Sequence, residues 1–200
     1  MPPCEPHAGR SLFQRMQSRR LCGLFVMCAV IVTGITAQVA NDAVAPTRWA
    51  DLKRRLDNRF PEIPTLSTGE LADRLRATDR SPPLLVDVRA HEEFEVSHLR
   101  GAIWAGTEKT QADLLKRTPP DREIVFYCSV GWRSAQATER AMKAGRSGVA
   151  NLGGSIFQWA NEGRPLVGMN EKTPTTFVHP YDDTWGHMLD RRLWSRQPVR

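Results

Sequence analysis

The stretch IVFYCSVGWRSAQATERAMKA, Ile124–Ala144, decides how this chain is read. Its first four residues, Ile124, Val125, Phe126 and Tyr127, are β-branched, aromatic or otherwise apolar, and such side chains pack well on a buried pleated surface. A strand is therefore predicted there, ending at Cys128. From Ser134 the composition changes to helix formers, with Ala135, Ala137, Ala141 and Met142 available for an inner face. Between strand and helix lies a tight turn that opens on Cys128 and closes on Arg133.

That order has chemical consequences. The first N–H groups of a helix lack intrahelical partners, and the helix dipole places partial positive charge beside them. A thiol held over those donors, with an arginine close by, loses its proton easily; such cysteines fall from a pKa of about 8.5 to roughly 3.5–7.5. The resulting thiolate is a nucleophile, and the same donors would hold an anionic substrate or a terminal sulfur. Gly131 suits a turn that requires positive φ. Without this context a lone cysteine at a strand end is most simply a buried structural residue; the Cys-Ser-Val-Gly-Trp-Arg-Ser run argues for chemistry instead.

Three stretches carry a family resemblance. Cys128–Ser134 resembles the active-site loop of rhodanese-type sulfurtransferases, in which a cysteine and an arginine enclose four residues. Leu84–Ala102 (LLVDVRAHEEFEVSHLRGA) resembles the upstream motif of strand, Asp-x-Arg, acidic–aromatic pair and His followed by Gly-Ala. Asn151–Leu166 (NLGGSIFQWANEGRPL) resembles the downstream motif of Leu-x-Gly-Gly, aromatic helix and Gly-x-Pro-Leu. Ser97 stands where a glycine is common, and Leu99-Arg100 where Ile-Pro is common.

The resemblance implies an α/β, rhodanese-like domain over residues 63–168, with a mainly parallel five-stranded sheet and helices on both faces. It also implies sulfur transfer without a cofactor or metal. Cys128 would attack the outer sulfur of a small anionic donor such as thiosulfate, and the persulfide would pass its sulfur to a thiol, cyanide or protein-thiol acceptor. Backbone donors of Ser129, Val130, Gly131, Trp132 and Arg133 would stabilise the persulfide, while Arg133 would lower the thiol pKa and hold the donor's sulfonate. Ser129 and Ser134 offer hydroxyl hydrogen bonds, with helix capping the alternative role for Ser134. Trp132 would shield the persulfide or help dock an acceptor, against core packing as the competing account. Two other readings keep the fold: a sulfur carrier or protein-binding module with little small-molecule turnover, and a phosphatase. The loop has one residue fewer than the related phosphatase loops, which favours a sulfur atom over a phosphoryl group.

At 200 residues, 40% hydrophobic and 25% charged, the composition is that of an ordinary globular protein with extensions. The net charge of +6 does not mark a nucleic-acid partner, because Arg10, Arg15, Arg19 and Arg20 contribute much of it outside the predicted domain and no basic stripe is interleaved with aromatics. Cys4, Cys22 and Cys28 precede the domain, so Cys128 is the only thiol beyond them, with no internal disulfide partner in the domain and no Cys-rich metal site.

Residues 1–45 read as a signal peptide or signal anchor. A basic, polar start is followed by the uncharged apolar run 21–37, the order of an export signal. As a helix this run would extend about 26 Å at about 1.5 Å per residue, just short of the roughly 30 Å hydrocarbon core. Cleavage near Ala37 or Ala45 and retention as a membrane tether are both open. The expected location is therefore exported, periplasmic or membrane-anchored facing the periplasm if the source is bacterial.

Residues 46–62 carry Trp49, Leu52, Leu56 and Phe60 at spacings of three and four, which predicts an amphipathic helix bracing the domain or lying on a membrane surface. Ser67-Thr68-Gly69-Glu70 is a capping-box pattern for a helix reaching about Ala77. Strands are predicted at Leu84–Val88, Ala102–Trp104 and Val149–Leu152, and helices at Gln111–Arg117 and from Ser155 to about Asn161. Ligands gather at the carboxyl ends of parallel strands, so Asp87 is expected to orient the cysteine loop and Arg89 to add positive charge, with a surface salt bridge as the alternative. His98 is expected to be a hydrogen-bonded structural residue and Trp159 to be core. In the C-terminal extension, 169–200, Thr173–Thr176 reads as linker-like. Tyr181 and Trp185 are expected to pack back on the domain or the N-terminal helix, and Trp194 to meet a partner or membrane surface.

Overall fold

β4, Ile124–Tyr127, is the middle strand of a five-stranded parallel sheet. The computed structural model describes residues 48–198, so the proposed leader, with the export and anchor reading built on it, lies outside the described residues. The described part opens with α1 (48–59). There follow β1 (Thr65–Leu66), α2 (Thr68–Arg76), β2 (Leu84–Asp87), α3 (His91–Val96), β3 (Ile103–Trp104), α4 (Glu108–Arg117), β4, α5 (Trp132–Lys143), β5 (Val149–Leu152) and α6 (Ser155–Asn161). The sheet order is β1-β5-β4-β2-β3. Two residues of β6 (Leu166–Val167) then pair antiparallel with β7 (Pro174–Thr175), and α7 (Asp183–Gly186) and a short 3-10 turn follow.

All four residues of β4 are buried, which matches a strand covered on both faces. Alternate side chains face opposite ways. Val125 and Tyr127 join one core with Leu71 of α2, Phe157 and Trp159 of α6 and Leu52 of α1. Ile124 and Phe126 join the other, with Leu114 of α4 and Ala137 and Ala141 of α5. The expected sheet with helices on both faces is thus present. Its fifth strand, β1, is only two residues long and too short to show alternation in the sequence.

Local signals behaved as their chemistry dictates. Ser67 accepts from the Glu70 N–H while Glu70 reaches back to the Ser67 N–H, completing the capping box. α4 begins at Glu108, earlier than predicted, because Thr107 supplies a second such cap with Thr110. α5 begins at Trp132, two residues before the predicted Ser134.

Both extensions pack on the domain. Leu52 and Phe60 of the N-terminal segment are buried, and Trp49 and Leu56 pack against the same core, so the apolar face of α1 braces the domain and is not presented to a membrane. No helix among the described residues is long and apolar enough to cross a membrane. The segment read as linker-like contains β7, and Val178, Met188 and Leu189 beyond it are buried. Trp194 was expected on a partner or membrane surface; instead it packs on this chain's core and donates to Leu189 O at 3.2 Å. Its ring atoms lie 2.6 and 2.7 Å from where a Cβ on Gly186 would stand, so only glycine leaves room for it.

At the carboxyl end of β2, Asp87 and Arg89 are both fully buried and pair with each other at 2.7 Å. Arg89 also donates to Ser97 O at 2.6 Å. This internal pair is not the surface salt bridge given as the alternative for these residues. Burial alone would lower the Arg89 pKa, but the Asp87 charge and hydrogen bonds hold it above the ordinary value. Removing one partner leaves an uncompensated interior charge, so Asp87→Ala is expected to destabilise the chain by about 3–5 kcal/mol. The midpoint of urea unfolding measures this; an unchanged midpoint would remove the pair from the account of stability.

Candidate active site

Cys128 follows the last residue of β4 and is 1% exposed. Three hydrogen bonds with the start of α6 hold the backbone of Cys128 and Ser129 in place. The Cys128 N–H donates to Ser155 Oγ at 3.1 Å, its carbonyl accepts from the Ile156 N–H at 3.2 Å, and the Ser129 carbonyl accepts from the Phe157 N–H at 3.0 Å. The start of α6 therefore satisfies the loop's carbonyls, and Ser155 adopts φ +50 in doing so. On the other side Gly131, with φ +105, caps α5. A Cβ at that glycine would face strain whatever the space around it.

The sulfur sits over the first turn of α5. Cys128 Sγ accepts from the Gly131 N–H at 3.2 Å and lies 3.5 Å from Ser134 Oγ. Burial pushes the thiol pKa up, yet the Arg133 charge, the Ser134 hydroxyl and the N–H groups of Ser134 and Gly131 outweigh it, leaving the thiol below its ordinary value. Ser134 is not the helix cap: it lies inside α5 and bonds Asn151 Oδ1 at 2.7 Å. Its hydroxyl thus stands between the sulfur and Asn151.

Arg133 does not extend a free fork toward a ligand. Its terminal nitrogens bind both oxygens of Glu93, at 2.8 and 3.0 Å, and Nη2 also donates to Ser129 Oγ at 2.9 Å. Where a donor's sulfonate was expected, the fork carries the Glu93 carboxylate. Ser129 is likewise committed, since its hydroxyl donates to Glu93 Oε1 at 2.9 Å. Glu93, whose side chain is 1% exposed, also accepts from the Ala90 N–H at 3.0 Å, so the carboxylate is fully engaged. Burial would raise its pKa, but Arg133 and Arg89 hold it below the ordinary carboxylate range. Above Arg133 lies the Tyr181 ring, with its centroid 4.7 Å from the guanidinium carbon.

The remaining predicted residues are placed as follows. Asp87 and Arg89 bond to each other, and Arg89 Nη2 also donates to Ser97 O, while Arg89 Nη1 is buried without a hydrogen-bond partner. Trp132 meets Phe60 edge-on, with ring centroids 5.5 Å apart, so it joins the loop to the segment following α1. Val130 is buried and, with Asn151, lines a cleft of about 710 Å³ whose other wall is Leu52, Leu56 and Phe60. Cys128 is not among the residues lining that cleft. His98 is buried and hydrogen-bonded to Phe94 O and Glu171, outside the chemistry. Trp159 is core.

Sequence reasoning did not single out Glu93, Asn151 or Ser155 as site residues. Glu93 had a signal, the acidic–aromatic pair Glu93-Phe94 in the upstream motif, but nothing in that spacing names its partner.

A buried, acidified thiol in a strand–loop–helix turn at the carboxyl edge of a parallel sheet defines a protein built around one candidate nucleophilic cysteine. The chain matches the rhodanese-like domain over residues 67–162. It is 35% identical over 92 residues to a sulfurtransferase of Allochromatium vinosum, covering 46% of this chain and 85% of that protein. It is 34% identical over 102 residues to the probable adenylyltransferase/sulfurtransferase MoeZ of Mycobacterium tuberculosis, covering 50% of this chain but only 26% of that one, so it spans about a quarter of this relative's length. A thiosulfate sulfurtransferase structure from Pseudomonas aeruginosa superposes with a TM-score of 0.50 at 19% identity, covering 66% of this chain and 25% of that chain, which is a likeness of fold. The chain belongs to the rhodanese-like family.

Two substitutions should move the thiol in opposite directions. Ser134→Ala removes a donor, so the midpoint of the pH dependence of Cys128 alkylation shifts up. Glu93→Gln frees the Arg133 charge, so the midpoint shifts down. Parallel shifts would show that neither group acts electrostatically on the sulfur.

Proposed function

We propose that this protein is a sulfurtransferase that carries a sulfane sulfur as a Cys128 persulfide. The observation that carries the reading is the acidified Cys128 thiol, buried yet supplied with hydrogen bonds and a cation. The thiolate attacks the outer sulfur of a donor such as thiosulfate; the S–S bond of the donor breaks, sulfite leaves with the electron pair, and the persulfide anion takes the thiolate's place over the Gly131 and Ser134 donors. An acceptor thiol, cyanide or protein thiol then attacks the terminal sulfur and returns Cys128 as thiolate. Two electrons stay with sulfur throughout, so no redox cofactor enters. Arg133 acts through its charge on the sulfur, while Glu93 and Ser129 fix its orientation. We place the domain outside the cytoplasm, on the strength of the basic and then apolar order of residues 1–45.

A carrier serving one dedicated protein partner uses the same first step and differs in its donor. The test is the intact mass of the purified chain before and after thiosulfate. Wild type is expected to gain one sulfur atom, reversed by a thiol reductant. Cys128→Ser gains none, and Arg133→Ala loads about a hundredfold more slowly. Equal loading of the serine variant would end the persulfide mechanism; no loading of wild type from small donors would favour the dedicated carrier.

A further inference from the structure

The family match ends at residue 162, yet the chain returns to the active site beyond it. The return is firmly anchored. Asn161 binds Met188 O and the Asp190 N–H, each at 2.8 Å, and Val178 bonds Leu193 O at 2.7 Å and the Ser195 N–H at 3.1 Å. Between these ties Tyr181 adopts φ +66, a conformation that an L-residue keeps only under constraint. Its N–H donates to His179 Nδ1 at 3.1 Å, and the Asp182 side chain caps the next turn at the Trp185 N–H. The product of this turn is the ring placed over Arg133, 4.7 Å from the guanidinium carbon.

Oxyanions are held best by two parallel N–H bonds from the guanidinium edge. In Arg133 that edge is occupied by Glu93, and a face is occupied by Tyr181, leaving the side chain 31% exposed. The local charges balance in pairs, Asp87 with Arg89 and Glu93 with Arg133, so a Cys128 thiolate has no unmatched cation beside it. A dianionic donor meets negative charge there. An alkyl persulfide carries less charge and has no oxyanion head to seat.

We propose that Tyr181 is a specificity-determining residue whose ring covers Arg133 and turns the site from oxyanion-headed donors toward alkyl persulfides. This rests on the persulfide reading of Cys128 and narrows its donor. In the favoured reaction the Cys128 thiolate attacks the terminal sulfur of RS–SH and the RS–S bond breaks. The thiolate RS⁻ leaves with the electron pair, and Cys128–S–SH keeps the proton.

The experiment compares wild type, Tyr181→Gly and Tyr181→Phe as full chains, with Cys128 loading followed by intact mass using thiosulfate and a carboxylate-free alkyl persulfide, that of 2-mercaptoethanol, as donors. Glycine adopts φ +66 without strain, so this variant removes the ring without burdening the turn. The ratio of thiosulfate to persulfide loading rates is expected to rise about three- to thirtyfold in Tyr181→Gly, the range a cation–π contact is worth, through a lower KM for thiosulfate. Tyr181→Phe keeps the ring and the wild-type ratio. A merely structural role would slow both donors alike and leave the ratio unmoved, which overturns the inference alone, as does a Tyr181→Phe ratio equal to that of glycine. Wild type that loads from neither donor overturns this inference, because no small persulfide is then a substrate, and favours the dedicated carrier.

Discussion

A sulfur anion can stay inside a protein only where donors and positive charge replace the water it gives up. Cys128 is 1% exposed, so everything around it answers that requirement. The first turn of α5 supplies the N–H groups, Ser134 a hydroxyl and Arg133 the charge. Arg133 in a first helical turn is an unfavourable placement for the helix itself, because its charge adds to the positive end of the dipole. The thiolate is the group that gains from it.

Satisfying the sulfur creates a second requirement, a counter-charge for the arginine. Glu93 meets it from α3, on the far side of the loop, and its carboxylate is itself saturated by Arg133, Ser129 and Ala90. The arrangement is a compromise. Glu93 fixes the guanidinium in one orientation, and from there the Arg133 charge leads the Ser134 and Gly131 hydrogen bonds in acidifying the thiol. Beneath it the Asp87–Arg89 pair repeats the principle, with both charges in the interior and each matched.

The family region, 67–162, contains the nucleophile, the donors and the counter-ion. What surrounds that region belongs to this chain's additions. α1 and Phe60 close one side of the loop through Trp132, and the C-terminal extension closes another through Tyr181. The two flanking segments therefore act as structural parts of the domain, and the extension reaches Arg133, the cation that acts on the sulfur.

The sequence by itself determined the parallel α/β architecture, the capped α2 and the Cys128–Arg133 turn with its left-handed Gly131. Each of these follows from local chemistry: side-chain shape, spacing, caps and the conformational freedom of glycine over a few consecutive residues. β1 escaped because two residues show no period. Only the tertiary structure decided that Glu93, 40 residues away, takes the fork of Arg133, that Ser134 faces Asn151 instead of capping its helix, and that Asp87 and Arg89 are sealed inside. It also decided that Tyr181 covers the guanidinium while Trp194 turns inward. Charge pairing and ring stacking act over a few ångströms between distant segments, and burial sets their strength; neither distance nor burial is written in the spacing of residues along the chain.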